Sequence, residues 1–414
     1  MDILESIDFM RRPLQIGALP STKVDYKKSN LLEYYIICTL FASIAILFYG
    51  VFGKNRLQLT ASAIGGIGDL IDLLQFTGIR LAHIVTLLEA FLHRRKISAF
   101  FIRVREIDDI FERSLNVDID NSCFHKQLIR RAIKTISAYV CVQILVVITE
   151  SFSEHNSLSI CFILYMLSFC VTMLRYFQFT ICIMIIRERL KKLVLILDEQ
   201  KLYEDVHMQD GNSAVKNFFR TQHNGTLSCF PCIRNIDLKR LYIIRDLYNR
   251  LWELTAHVNR NFGFSLLTNV GNDLLAIISN SYWIFINFNN YSNTMEQLLQ
   301  STSNALLSLP HMFNVLSLAL LCEETLQKTT EIAYGLHNLE TCMPNNHQYN
   351  IIEQFSLQLL HQKITFSAAG FFNINCRLLY SIAGATTTYL IILIQFQMSG
   401  DRVPQNCTIS TDDV

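Results

Sequence analysis

The chain has 414 residues, 51% of them apolar and 17% charged, with a positive mean hydropathy. That balance lies outside the usual range of a water-soluble domain and marks an integral membrane protein. A net charge of +1 excludes a general polyanion binder, and no arginine-rich arm or interleaved basic and aromatic run points to nucleic acid.

A membrane-crossing helix needs roughly 20 mostly apolar residues. Seven stretches approach this: 31–53, 61–92, 132–149, 157–186, 262–288, 305–321 and 377–398. The expected fold is therefore all-α, a polytopic membrane protein with seven transmembrane helices. Residues 1–30 lack an apolar core, so the first span is expected to act as its own anchor rather than as a cleavable signal.

Lysine and arginine set the expected orientation, because loops rich in them stay in the cytosol. Residues 1–30 and the loops 93–131, 187–261 and 322–376 hold 29 of them, against 3 on the opposite side. The N-terminus is expected to be cytoplasmic, and seven crossings then put the C-terminus, with the tail 399–414, outside. The three cytosolic segments read as helical extensions of the spans. From Leu241 on, Ile244, Leu247, Leu251, Leu254 and Val258 follow spacings of three and four, while Arg105, Asp109 and Arg113 fall at successive i,i+4 positions. Residues 203–235, with Asp210-Gly211-Asn212 and Asn224-Gly225, read as a mobile loop.

Twelve cysteines give no disulfide framework, since only Cys407 and Cys161 come near the outside. Cys229-Phe-Pro-Cys232 lacks a second ligand pair, so neither a metal nor any other cofactor is expected. Of three Asn-x-Ser/Thr sequons, Asn224 falls in the cytosol, leaving Asn290 and Asn406 as candidate glycosylation sites.

The last span carries the most information. Ser381, Ala385, Thr388, Ile392 and Gln395 recur at spacings of four, three, four and three and share one helix face. Hydrocarbon gains nothing from such a stripe. Either it is a close helix–helix contact, since small and hydroxyl side chains let membrane helices approach, or it lines water.

Thr388-Tyr389, five apolar residues and then Gln395-Phe396 resemble the C-terminal motif of insect gustatory receptors. Upstream, Gly370-Phe371-Phe372 and the run from Leu378 to Ala385 resemble the segment that precedes it in that family. The resemblance implies a chemoreceptor that is also a cation channel, assembled as a homo- or heterotetramer around the last helix, with the cytosolic extensions packed together as an anchor. It also implies a small-molecule tastant as partner, bitter or aversive compounds before sugars, and a place in the plasma membrane of gustatory neuron dendrites. Within it, Gln395 has the role of pore gate, with Ile392 one turn below as reinforcement, and Phe396 is expected on a packing face.

In the expected orientation the outer halves of the spans hold Asp69, Asp72, Gln143, Tyr165, Asn280, Tyr282, Trp283, His311 and Asn314. Aromatic walls with a few hydrogen-bonding groups are what a small-molecule site requires, and these nine are the ligand-binding candidates. Each also has a bland explanation: tyrosine and tryptophan form interfacial belts, and an aspartate can pair within the bundle. Arg80 and Arg175 fall in the inner halves, where ion pairs or snorkelling are expected. No Gly-x-Ser-x-Gly, His-Glu-x-x-His or phosphate-cradling glycine loop supports an enzyme.

A seven-helix G-protein-coupled receptor is the competing class. It requires an outside N-terminus, and neither its acidic-Arg-Tyr triplet nor its Asn-Pro-x-x-Tyr is present at the expected places. Epitope tags on the two ends separate the classes. In intact cells the C-terminal tag should bind antibody and the N-terminal tag should not; an accessible N-terminal tag sinks the channel reading.

Overall fold

The computed structural model describes residues 29–52, 67–119, 121–151, 160–221, 238–289, 295–340 and 346–400. Among these the chain forms nine helices and one short hairpin: α1 Ser29–Phe52, α2 Ile67–Leu92, α3 Arg94–Leu115, α4 Asn121–Ser151, α5 Ile160–Thr221, α6 Leu238–Asn289, α7 Met295–Glu340, α8 Asn346–His361, β1 Ser367–Ala368, β2 Phe372–Asn373 and α9 Cys376–Gly400. Six helices (α2, α4, α5, α6, α7 and α9) are long and apolar enough to cross a membrane, and α1 has a shorter apolar run, Tyr34–Tyr49. The seven expected spans fall on these seven helices. Asn290, Asn406, Asn224, Cys229 and Cys232 lie outside the described residues.

The helical extensions are continuous with the spans. The run expected from Leu241 and the span 262–288 form the single 52-residue helix α6. The loop reading of 203–235 is corrected as far as Thr221, because α5 stays helical to that residue. A glycine inside a helix costs only about 1 kcal/mol relative to alanine, so Gly211 does not stop a helix that is 62 residues long. Helix α3 ends where Asn116 adopts φ 55°, a left-handed stop that asparagine tolerates, with its N–H donating to Phe111 O.

The largest core gathers α3, the start of α4, the middle of α5, residues 241–270 of α6, the inner part of α7, α8 and the hairpin. Two buried arginine pairs tie its layers. Arg189 of α5 grips Asp108 of α3 through Nε at 3.0 Å and Nη2 at 2.8 Å, with a further bond to Asn121 Oδ1 at 3.1 Å. Arg175 of α5 pairs with Glu89 of α2 at 3.2 Å, both side chains almost fully buried. Thus Arg175 ion-pairs and does not snorkel, while the buried Arg80 lies 5.4 Å from the Phe76 ring. By contrast, Ile133, Ile136, Val140, Ile144 and Ile148 of α4 stay exposed, a continuous apolar face of the kind lipid covers.

The stripe Ile244, Leu247, Leu251, Leu254 and Val258 is buried inside this single-chain core. Its side chains are therefore spent within the chain and are not left over for a contact between subunits. Leu251→Asp should then abolish folding, because an unpaired charge in a dry core costs several kcal/mol. The check is thermal unfolding followed by size-exclusion in detergent: aggregated or degraded protein is expected, and a folded monomer that has only lost its oligomer would contradict this placement.

Candidate ligand site and the exposed last helix

Polar residues on α2 and α6 meet in antiparallel register along the bundle. The indole of Trp283 donates to Asp72 Oδ1 at 2.9 Å, and the hydroxyl of Ser279 donates to Gln75 Oε1 at 2.6 Å. Lower down, Thr86 meets Asn269 at 3.4 Å, and His83 bonds Ser168 of α5 at 2.9 Å. A side chain inside hydrocarbon needs a partner, and this seam supplies one at almost every turn.

Beside the seam sits a four-residue relay. Tyr165 of α5 bonds His311 Nε2 at 2.7 Å, His311 Nδ1 meets Asp273 Oδ1 at 2.7 Å, and the hydroxyl of Tyr176 donates to Asp273 Oδ2 at 2.7 Å. With Asp273 ionised, Nδ1 carries the imidazole hydrogen and Nε2 accepts from the phenol. Phe169 packs edge-on to His311 at 4.8 Å and stacks with Tyr139 of α4 at 5.2 Å. The walls are thus aromatic and the polar groups few, which is the chemistry of a small-molecule site.

Of the nine ligand candidates, the structure brings together Asp72 with Trp283 and Tyr165 with His311. Asn280 and Asn314 are buried, and their amide Nδ2 atoms have no hydrogen-bond partner; Gln143, half-buried next to the Tyr139 side of α4, has an unpartnered Oε1. Asp69 is exposed and stands apart from the others. Tyr282 and Trp283 are not remote from the last helix. Tyr282 donates to Gln397 Oε1 at 3.1 Å, and its cluster with Ile71, Trp283 and Ile286 packs against Leu390 and Leu393 of α9. The sequence reading passed over Asp273, Tyr176, Gln75 and Ser279. A signal for Ser279 was present in α6, where Ser265, Asn269, Asn272, Ala276 and Ser279 are polar or small at spacings of three and four.

Helix α9 lies at the edge of the chain. Leu378, Ile382, Leu390 and Leu393 pack inward. Ser381, Thr388, Ile392 and Gln395 are exposed and Ala385 is half-buried, so the stripe falls off the packed face. Thr388 closes its hydroxyl onto Gly384 O at 2.9 Å and Ser381 onto Arg377 O at 3.3 Å, within the helix itself. Phe396 is 63% exposed, which corrects its expected place on a packing face within the chain; Tyr389 is exposed as well. One line of packed leucine and isoleucine, with the short side chains facing out, leaves most of α9 open to a contact with something other than its own bundle.

Residues 20–400 match the family model described as 7tm chemosensory receptor. Gustatory receptor 2a of Drosophila melanogaster is 35% identical over 97% of this chain and 98% of its own length. A gustatory receptor for bitter taste of the same species, 66a, is 35% identical over 82 residues, 20% of this chain and 16% of its own length. In fold, the chain is similar to the olfactory receptor OR5 of Machilis hrabei solved in complex with eugenol, with a TM-score of 0.65 and 15% identity over 96% of this chain and 100% of that one. The protein is a multi-pass membrane receptor and not an enzyme: the chain belongs to the seven-transmembrane chemosensory receptor family.

Proposed function

We propose that the chain is a gustatory chemoreceptor acting as a ligand-gated, non-selective cation channel, built as a homo- or heterotetramer with α9 lining the pore. One observation carries this reading: the small and polar stripe of α9, which hydrocarbon does not favour, is left uncovered by the rest of the chain. Four copies of α9 facing an axis would place Ser381, Ala385, Thr388, Ile392 and Gln395 on water. Four Gln395 amides can hydrogen-bond one another and exclude hydrated ions, and separating them reopens a wet path. The lysine and arginine distribution supports a cytoplasmic N-terminus and an outer C-terminus, and the likeness to gustatory receptors supports a place in the plasma membrane of gustatory dendrites.

The aromatic relay around Tyr165, His311 and Phe169, with the amides of Asn280 and Asn314, is the proposed ligand site. Asp72 and Asp273 already have donors, so the groups left over are neutral. That favours flat, weakly polar bitter or aversive compounds carrying an acceptor oxygen, and the local likeness to a bitter-taste receptor supports the same class. Sugars are the second reading, favoured by the unpartnered amides.

Two expectations test this. His311→Phe keeps the aromatic ring but deprives Tyr165 and Asp273 of their shared partner, so it should disorder the relay and raise the half-maximal concentration of an effective alkaloid by about tenfold, the scale of one or two lost hydrogen bonds. The check is dose–response current in oocytes at matched surface expression; an unchanged curve removes this relay from the site. Gln395→Ala should raise resting cation current without ligand. Wild-type resting current in that variant, together with a thiol-accessibility scan of 381, 385, 388, 392 and 395 that shows no reactive stripe, would remove α9 from the pore.

A further inference from the structure

Side chains from α2 and α5 reach the backbone of α6 at residues 261–265, a contact that neither the ligand site nor the pore uses. The Glu89 carboxylate of α2 accepts from the backbone N–H of Phe264 at 3.0 Å, from that of Ser265 at 3.0 Å, and from the Ser265 hydroxyl. The carbonyl of Asn261, which stands four residues before Ser265, receives Arg175 Nη2 at 2.6 Å. In a regular helix those amides point along the axis to the carbonyls four residues back. A carboxylate that takes two successive amides shares them with the helix's own carbonyls, and α6 stays helical through this turn.

The pair is itself braced. Arg175 donates through Nε to Ser265 Oγ at 3.1 Å and through Nη1 to Gln178 Oε1 at 3.1 Å, and its guanidinium lies 4.1 Å from the Phe262 ring centroid. On the other side of the same turn stands the hairpin. A Cβ at Gly263 would come within 3.0 Å of the backbone of Ala369, and Ala369 holds φ 50°, a left-handed conformation that alanine rarely adopts. One turn earlier, Asn259 grips the same segment, donating to Thr365 O at 2.7 Å and accepting from Ser367 N at 3.2 Å. The hairpin runs directly into α9, whose first turn is capped by Asn375 Oδ1, 3.1 Å from Arg377 N.

We propose that Glu89 and Arg175 are a positioning pair for gating: they clamp the 261–265 turn of α6 and, through Gly263 and Asn259, fix the hairpin from which α9 starts. The proposal rests on the channel reading above. Glu89 lies on the helix that carries Asp72 and Gln75, and Arg175 on the helix that carries Tyr165 and Tyr176. A shift between α2 and α5 on filling the ligand site therefore pulls on the clamped turn, and the turn moves the hairpin.

The test uses the full-length receptor in lipid nanodiscs, without ligand, and in oocytes with quinine as the probe. Glu89→Gln should speed hydrogen exchange of the 264 and 265 amides about tenfold or more, as loss of charge-assisted bonds requires, and should carry the 366–374 hairpin with it. Gly263→Ala leaves the ion pair in place but pushes on Ala369, so it should also change hairpin exchange, and it carries the test if Glu89→Gln does not fold. Both variants should shift resting or quinine-evoked current at matched surface amounts. Faster exchange at 264 and 265 with an unaltered hairpin overturns the coupling. So do wild-type currents in both variants when Gln395→Ala alters current. If Gln395→Ala is also silent, the channel reading has failed, and hairpin exchange alone then decides the positioning role.

Discussion

Every polar group buried in a membrane protein must find a partner inside the chain or face water, because an unsatisfied one costs several kcal/mol in hydrocarbon. This single constraint orders the bundle. It sets the register of α2 against α6, where Asp72 answers Trp283, Gln75 answers Ser279 and Glu89 answers the backbone at 264 and 265. A slip of one helical turn between these helices would strand several of those groups together. The seam therefore specifies one arrangement among apolar surfaces that on their own would slide.

The same rule divides the molecule into a closed part and an open part. Residues 241–270 of α6, with α3, α5, α7 and α8, bury their apolar faces within one chain, together with Arg175, bonded through all three guanidinium nitrogens, and Arg189, bonded through two. Helix α9 meets the bundle along one narrow line of leucine and isoleucine and offers its polar stripe to whatever lies outside. A chain that satisfies itself so thoroughly in one region and so little in another is built to be completed by a surrounding assembly at the second.

The spans, the helical extensions and the stripe of the last helix were legible in the sequence, because each follows from the spacing of apolar and small residues along one helix. What a single helix cannot reveal is its neighbour. Leu251 had the spacing of an interface residue, and only the packing of α3 and α8 around it makes it core. Asp273 looked like one more acid in a long apolar run until His311 and Tyr176, both remote in sequence, closed on its two oxygens. Tyr282 and Trp283 stood out as aromatic candidates near one end of their span, but the register that brings them against Leu390 and Leu393 is a property of two helices together. Gly211 was misread for a different reason: a weak local breaker loses to a helix that continues on both sides of it.

The chain holds only two tryptophans. Trp252 packs at the border of the largest core, and Trp283 donates its indole hydrogen to Asp72 beside the leucines of α9. Indole emission responds to hydrogen bonding and to nearby charge, so these two positions divide the intrinsic fluorescence of the protein into a signal from the rigid interior and one from the contact with the last helix. A Trp252→Phe background would isolate the second signal, making the native chain its own optical reporter of how far that helix stands from the bundle.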